Sequence, residues 1–277
     1  MSLRRLLGHR GAVAGGLIVG LYLLLAGAGP WLAPYSTTRG RLLERLAPPS
    51  RAHWLGVDEL GRDVLSRVIA GARVSLVMQV TAVGLALGAG LTLGLVAGYY
   101  GRWTDEAIGR LVDLLLAFPG VFLAIAIVTV LEPGVVSVTV AAGVVSVPQF
   151  ARLVRGVVLE LARREFVAAA RALGARDRRM LVRHLLPNVL PPVLIQASLR
   201  MATVLLTASG LGFLGLGVQP PSPEWGAMLA NARDYLFEAP HVALAPGLAI
   251  TVVVLGFNLL GDGLRDVLDP RLRGAAG

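Results

Sequence analysis

Long uncharged runs dominate the chain, and they recur at a spacing that fits a bilayer. The first extends from Gly11 to Pro34 and the second from Val74 to Tyr100, both free of charge. A third runs from Ile108 to Leu131 and carries Asp113. A fourth covers Val135 to Leu153, a fifth covers Asn188 to Leu216 with Arg200 inside it, and a sixth covers Val242 to Leu260. A helix crossing the hydrocarbon core needs about 20 mostly apolar residues, so the pattern predicts six transmembrane helices with both termini on one side. The first run is too long for a signal-peptide core, and Gly29-Pro30-Trp31 is a poor cleavage site, so it reads as a true span.

Two of the polar intervals carry structure of their own. After the helix-breaking Ala47-Pro48-Pro49-Ser50, Asp58 is placed to cap a helix. On that helix Leu60, Val64, Leu65, Val68 and Ile69 share one face, and Glu59, Arg62, Asp63, Ser66 and Arg67 share the other. The pattern predicts an amphipathic helix lying at the membrane surface. The longer interval, Val154 to Pro187, reads as helix, turn, helix. Phe166, Ala169, Ala170 and Leu173 recur at helical spacing. Gly174 stands where a left-handed cap wants glycine, and Asp177 is placed as the N-cap of a second helix. Met180, Leu181 and Leu185 form the apolar face of that helix, and Pro187 ends it. Small residues repeat at Gly90, Gly94 and Gly98, at Gly84 and Gly88, and at Gly16 and Gly20, a spacing that lets membrane helices approach closely. The expected division is residues 1–34 as tail and first span, 35–73 as an outer loop, and 74–277 as a five-helix core containing the 154–187 loop.

Composition sharpens this reading. The 277 residues are 55% hydrophobic and 16% charged, with mean hydropathy +0.71, which excludes a disordered chain, a coiled coil and an ordinary soluble enzyme. The absence of cysteine removes disulfides, thiolate metal sites and a cysteine nucleophile. All 26 basic residues are arginine, so the lysine-dependent phosphate loop and a lysine Schiff base are excluded. His9, His53, His184 and His241 show no metal-ligand spacing. A net charge of +9 could suggest nucleic acid, but the arginines flank the apolar runs. With the N-terminus in the cytoplasm, seventeen arginines fall inside and eight outside. The inside set includes Arg4, Arg5, Arg271 and Arg273, and seven of the outside set sit in the first loop.

Four ordered stretches resemble one family over nearly the whole chain. Ala168-Ala169-Ala170, then Gly174 and Leu186-Pro187, is similar to the "EAA" loop of ABC importer permeases, with Ala168 where the family commonly has Glu; Glu165 lies three residues earlier. His53 to Arg67 looks like the segment after the first span in dipeptide/oligopeptide permeases. Phe213 to Pro221 with Glu224-Trp225-Gly226 resembles that family's fifth-span exit, and Asn258 to Arg271 its C-terminus. The segment His53 to Arg67 points to the C-type membrane subunit.

The resemblance implies an all-α integral membrane protein of the type I ABC importer fold, a non-catalytic subunit with no cofactor or metal of its own. It implies a prokaryotic inner-membrane location with cytoplasmic termini. A second, related permease would complete the channel, a heterodimer being favoured over a homodimer. Two cytoplasmic ATPases would supply energy, and an extracytoplasmic binding protein would deliver di- or oligopeptides. Nickel or other metal chelates, glutathione and oligosaccharides are carried by similar systems. The ATPase-coupling residues carried over are Glu165, Phe166, Ala168, Ala169, Ala170, Arg171, Leu173, Gly174, Ala175, Asp177 and Pro187. Intramembrane charges are functional by default. Arg200 is therefore a pathway candidate, while Asp113, one turn from Arg110, is expected to pair with it or reach water. An ion-coupled secondary transporter needs intramembrane carboxylates, and Asp113 alone is a poor basis for one. An intramembrane enzyme lacks a catalytic cluster.

Overall fold

The computed structural model describes residues 9–268, which places Arg4, Arg5, Arg271, Arg273 and the end of the last motif outside the described residues. The helices are α1 (Arg10–Leu32), α2 (Val64–Tyr100), α3 (Arg102–Ala117), α4 (Gly120–Leu131), α5 (Val135–Leu161), α6 (Glu165–Ala172), α7 (Asp177–Phe213), α8 (Trp225–Ala232) and α9 (Pro240–Leu268). Five of them, α1, α2, α5, α7 and α9, are long and apolar enough to cross a bilayer.

The third expected span is not one straight helix: α3 and α4 meet at 93°. Proline disfavours a helical conformation in the residue before it and has no N–H to donate. Phe118 is accordingly extended (φ −94°, ψ 135°) just ahead of Pro119. Asp113, on α3, pairs with Arg152 of α5 at 2.7 Å, while Arg110 pairs with Glu106 at 2.6 Å. The expected Asp113–Arg110 pair is thereby replaced by a link between elements.

Parallel helices α2 and α5 form the centre of the bundle, and glycine sets their separation. Gly90 faces Phe150, Gly94 faces Val154 and Gly98 faces Val158. A Cβ on Gly94 would stand 2.6 Å from the Ala151 carbonyl oxygen and from Val154 Cβ. On the other side of α2, Gly84 and Gly88 face open space, with nothing within 4 Å of an added Cβ. Antiparallel α1 lies against α2 and α9, with Gly29 over the Ile69 backbone and Gly15 against Gly256 and Leu260. A polar brace crosses the middle. Tyr22, near the centre of α1, donates to Gln79 Oε1 at 2.6 Å, and Gln79 Nε2 donates to the Met201 carbonyl at 2.9 Å.

The amphipathic surface helix expected after Asp58 does not form as such. Helix α2 begins at Val64, within the segment expected as loop, and runs unbroken for 37 residues into the second span. Its cap is Asp63, which accepts from Ser66 N at 2.8 Å and Ser66 Oγ at 2.6 Å. Asp58 instead accepts from the Leu60 and Arg62 amides and from the Arg62 guanidinium, and pairs with the Arg67 guanidinium at 3.4 Å. The expected polar face is buried as well: Arg62, Asp63 and Arg67 are each 3% exposed, and on the apolar face Val64 and Ile69 are buried while Leu60 is 48% exposed. The reason lies in residues 35–57, which fold back over that face and supply partners. Arg67 Nη1 donates to the Thr37 carbonyl at 2.7 Å, and the Arg41 amide donates to Gly61 O at 2.9 Å. Burial and the neighbouring Asp58 carboxylate push the Glu59 carboxyl above its usual range, with Arg62 opposing.

The glycine seam makes a paired prediction. Gly94→Val should lower the detergent unfolding midpoint, with an overpacking cost of about 1–3 kcal/mol. Gly88→Val, with the same change in helix propensity, should leave it near that of the unsubstituted chain. Thermal unfolding of the two variants side by side checks this, and equal midpoints would refute the seam.

Candidate functional site

Between α5 and α7 the chain turns at Ala162–Arg164 and forms the short helix α6. Val167 and Ala170 bury one side of it against Val158, Met180 and Leu185. Of the four residues at helical spacing, Phe166, Ala169, Ala170 and Leu173, only Ala170 is buried. Phe166 is 41% exposed and Leu173 is 88% exposed. The cause is tethering. Eight residues held between two long helices must turn Val167 and Ala170 inward, which leaves Phe166, Ala168, Ala169 and Leu173 facing out.

Helix α6 ends as expected at Gly174. The Ala175 amide donates to Ala170 O at 3.0 Å and the Gly174 amide to Arg171 O at 2.9 Å, the two bonds of a Schellman cap. Gly174 has φ +77°, and nothing lies within 4 Å of an added Cβ, so conformation alone demands the glycine.

Asp177 is not the N-cap of the following helix. Arg176 precedes that helix without a side-chain cap bond. The Asp177 carboxylate accepts from Tyr99 Oη at 2.8 Å, and the Arg171 guanidinium lies 5.6 Å from the Tyr99 ring centre. This pin joins α2 to the α6–α7 turn. Tyr99 and Asp177 are far apart in sequence, and no local pattern could have paired them. Pro187 does not end a helix either, because α7 continues through it to Phe213. Residues Met180–Leu185 form a π turn, which puts Pro187 at the start of the next α-helical stretch, where its missing N–H is harmless.

The same segment and the start of α7 carry Arg163, Arg164, Arg171, Arg176, Arg178, Arg179 and Arg183, all exposed, with Arg164 paired to Glu160 at 2.8 Å. Glu165 is exposed in the first turn of α6, where the helix dipole favours an acid. Phe166 and Leu173 thus form an exposed apolar knob on an arginine-rich segment. Arg200 lies elsewhere, half-buried and midway along α7, beside the Tyr22–Gln79–Met201 brace. At the end of the bundle away from α6, Glu224 caps α8 by accepting from the Gly226 and Ala227 amides at 2.8 Å each. Burial pushes its carboxyl up, and the two amides oppose the shift. Trp225 Nε1 donates to Val68 O at 2.9 Å and ties α8 to α2.

Residues 90–274 match the family described as binding-protein-dependent transport system inner membrane component, and residues 1–49 match the N-terminal TM domain of oligopeptide transport permease C. A glutathione transport system permease protein (GsiD) of Pectobacterium atrosepticum is 49% identical over 271 residues, 98% of this chain and 90% of that protein. A dipeptide transport system permease protein (DppC) of Alkalihalophilus pseudofirmus is 47% identical over 262 residues, 95% and 86% of the two chains. Among solved structures, an inward-facing MetNI methionine ABC transporter superposes with a TM-score of 0.60 at 19% identity. That match covers 73% of this chain and 97% of the other.

The cap at Gly174 separates strain from bulk. Gly174→Val should cost about 1–2 kcal/mol through its left-handed backbone. Gly174→Asn, which tolerates that conformation, should cost much less. Faster amide exchange across residues 165–177 in the valine variant alone is the expected readout. Equal exchange in both variants would count against the cap.

Proposed function

The chain belongs to the family of binding-protein-dependent transport system inner membrane components, as an ABC importer permease subunit, and from that premise we propose that α6 and the turn to Asp177 are its docking element for a cytoplasmic ATPase. The supporting observation is the exposed pair Phe166 and Leu173 on a helix whose other face is locked into the bundle. In this reading the α6 end is cytoplasmic, both termini are cytoplasmic, and the protein sits in the prokaryotic inner membrane. Residues 1–34 form the tail and first span, 35–73 an extracytoplasmic segment closed over the start of α2, and 74–277 the transport core. ATP is hydrolysed by two partner ATPases and not by this chain. Their closure pulls on α6, and the cap at Gly174 and the Tyr99–Asp177 pin carry that pull into α7 and α2. The bundle then moves between two states whose populations follow the differential binding of ATP and substrate.

A second, related permease covers the open Gly84–Gly88 face of α2, and an extracytoplasmic binding protein delivers the cargo. That cargo is a small peptide. The relative named for dipeptides supports this directly. The relative named for glutathione supports a second reading within the same chemistry, since glutathione is itself a tripeptide with free carboxylates.

Leu173→Asp puts an acid on the knob without touching the buried face of α6. In mild detergent it should reduce recovery of the ATPase at least about tenfold, as for an interface hot spot, while the second permease still co-purifies. Peptide uptake by reconstituted vesicles should fall in parallel. Undiminished ATPase recovery and uptake would place the docking surface elsewhere.

A further inference from the structure

Arg200 is half-buried midway along α7, and among the described residues it makes no hydrogen bond or ion pair. Its depth is fixed by its neighbour. The Met201 carbonyl accepts from Gln79, which accepts from Tyr22 at the centre of the 23-residue helix α1. An arginine at that depth must meet water, a counter-charge or a subunit.

The surroundings of Arg200 on α7 narrow the choice. Gln196, Arg200, Thr203, Thr207 and Gly210 succeed one another at four, three, four and three residues, which places them on one face of the helix. None of the five is buried. Apolar Leu206 and Phe213 are exposed to one side of this stripe, and Val193, Val204 and Leu211 are buried on the other. At the α6 end the stripe opens through Gln196 into a cavity of about 680 Å³ between α5, α7 and α9, which Asn188 and Arg265 also line. A lipid-facing surface has no use for a polar line that leads to a cavity, and a dry helix seam has no use for an unpaired arginine.

We propose that this stripe of α7 lines the transport path and that Arg200 is its anion-recognising group, engaging a substrate carboxylate half-way across the membrane. The inference rests on the importer reading above and adds to it a specificity-determining residue. A guanidinium fork matches a carboxylate in two parallel hydrogen bonds, and the threonines above it and Gln196 below offer weaker contacts along which a peptide can move on.

The absence of cysteine makes the chain its own blank for thiol labelling. Gln196→Cys, Thr203→Cys and, as a lipid-facing control, Leu206→Cys are introduced singly into the assembled importer in membranes. Each is treated with an anionic sulfonate methanethiosulfonate and a cationic trimethylammonium one, and the labelled chain is read by mass spectrometry. Both reagents should reach positions 196 and 203 and miss 206. The anionic reagent should gain about tenfold in relative rate from Arg200 at low salt, an advantage that shrinks as salt is raised. Arg200→Lys should keep that preference, and Arg200→Gln should abolish it. Unlabelled 196 and 203, or a preference unchanged in Arg200→Gln, would overturn the proposal. Should Arg200→Gln fail to assemble, the lysine variant and the salt series on the assembled complex still decide. Dipeptide uptake by the unsubstituted importer is measured in the same membranes. Selective labelling without uptake would remove the peptide reading and leave the anion site, whereas uptake without selectivity would remove the anion site alone.

Discussion

The close approach of α2 and α5 is the contact on which the remaining architecture depends. Inside a bilayer, apolar surface gains little by leaving lipid for protein, so helix association relies on van der Waals contact at short range. Gly90, Gly94 and Gly98 remove the side chains that would hold the two helices apart, and Phe150, Val154 and Val158 fill the space. The contact is continuous for two helical turns, and it fixes the rotation of α2 about its own axis. That rotation decides which residues α2 presents elsewhere: Gln79 toward Tyr22 and Met201, Tyr99 toward Asp177, and Gly84 and Gly88 away from the bundle.

Helix α2 then acts as a rod. At 1.5 Å per residue its 37 residues span about 55 Å, well beyond the hydrocarbon thickness. Both overhangs are fastened. At one end Arg62 and Arg67 are buried with Asp58, and the cost of burying these charges is offset only because carbonyls and carboxylates surround them. At the other end Tyr99 holds the turn that follows α6. The turn after α6 and the segment at residues 35–58 are thus attached to the same rigid body, and a displacement at one end has a direct mechanical route to the other.

Much of this was legible in the sequence. Membrane helices leave no choice about backbone hydrogen bonding, so uncharged runs of sufficient length report spans reliably. The cap at Gly174 and the seam of Gly90, Gly94 and Gly98 follow from local spacing in the same way, whereas Gly16, Gly20, Gly84 and Gly88 share that spacing and an added Cβ there meets nothing within 4 Å. What failed were inferences that needed to know which neighbour comes near. The polar side of Val64–Ile69 looked solvated because its partners at residues 35–58 are not adjacent on the helix. Asp177 looked like a cap because Tyr99 was not in view. Which side of α6 is locked and which is free is likewise set by its tethers to α5 and α7, which local spacing does not report. Pro119 and Pro187 show the limit most clearly. One stands at a 93° bend in its span and the other follows a π turn inside a continuing helix, and the residue type alone does not tell the two apart.

The arginines divide by the same logic. Arg62 and Arg67 belong to the loop that counts against the positive-inside rule, yet both are buried in ion pairs and so present little charge to the lipid surface. Arg200 has no such compensation among the described residues, and a central arginine costs at least about 2.5–3.5 kcal/mol on insertion scales. A chain under no functional demand would place leucine there. The residue also shares one helix with the turn that follows α6: α7 begins at Asp177, pinned to Tyr99, and carries Arg200 about 35 Å further on at the helical rise. Between them lies the π turn Met180–Leu185, the kind of irregularity at which a helix can change register under load. A displacement of α6 therefore has a single covalent element, with a compliant joint near its base, leading to Arg200, which makes no ion pair among the described residues.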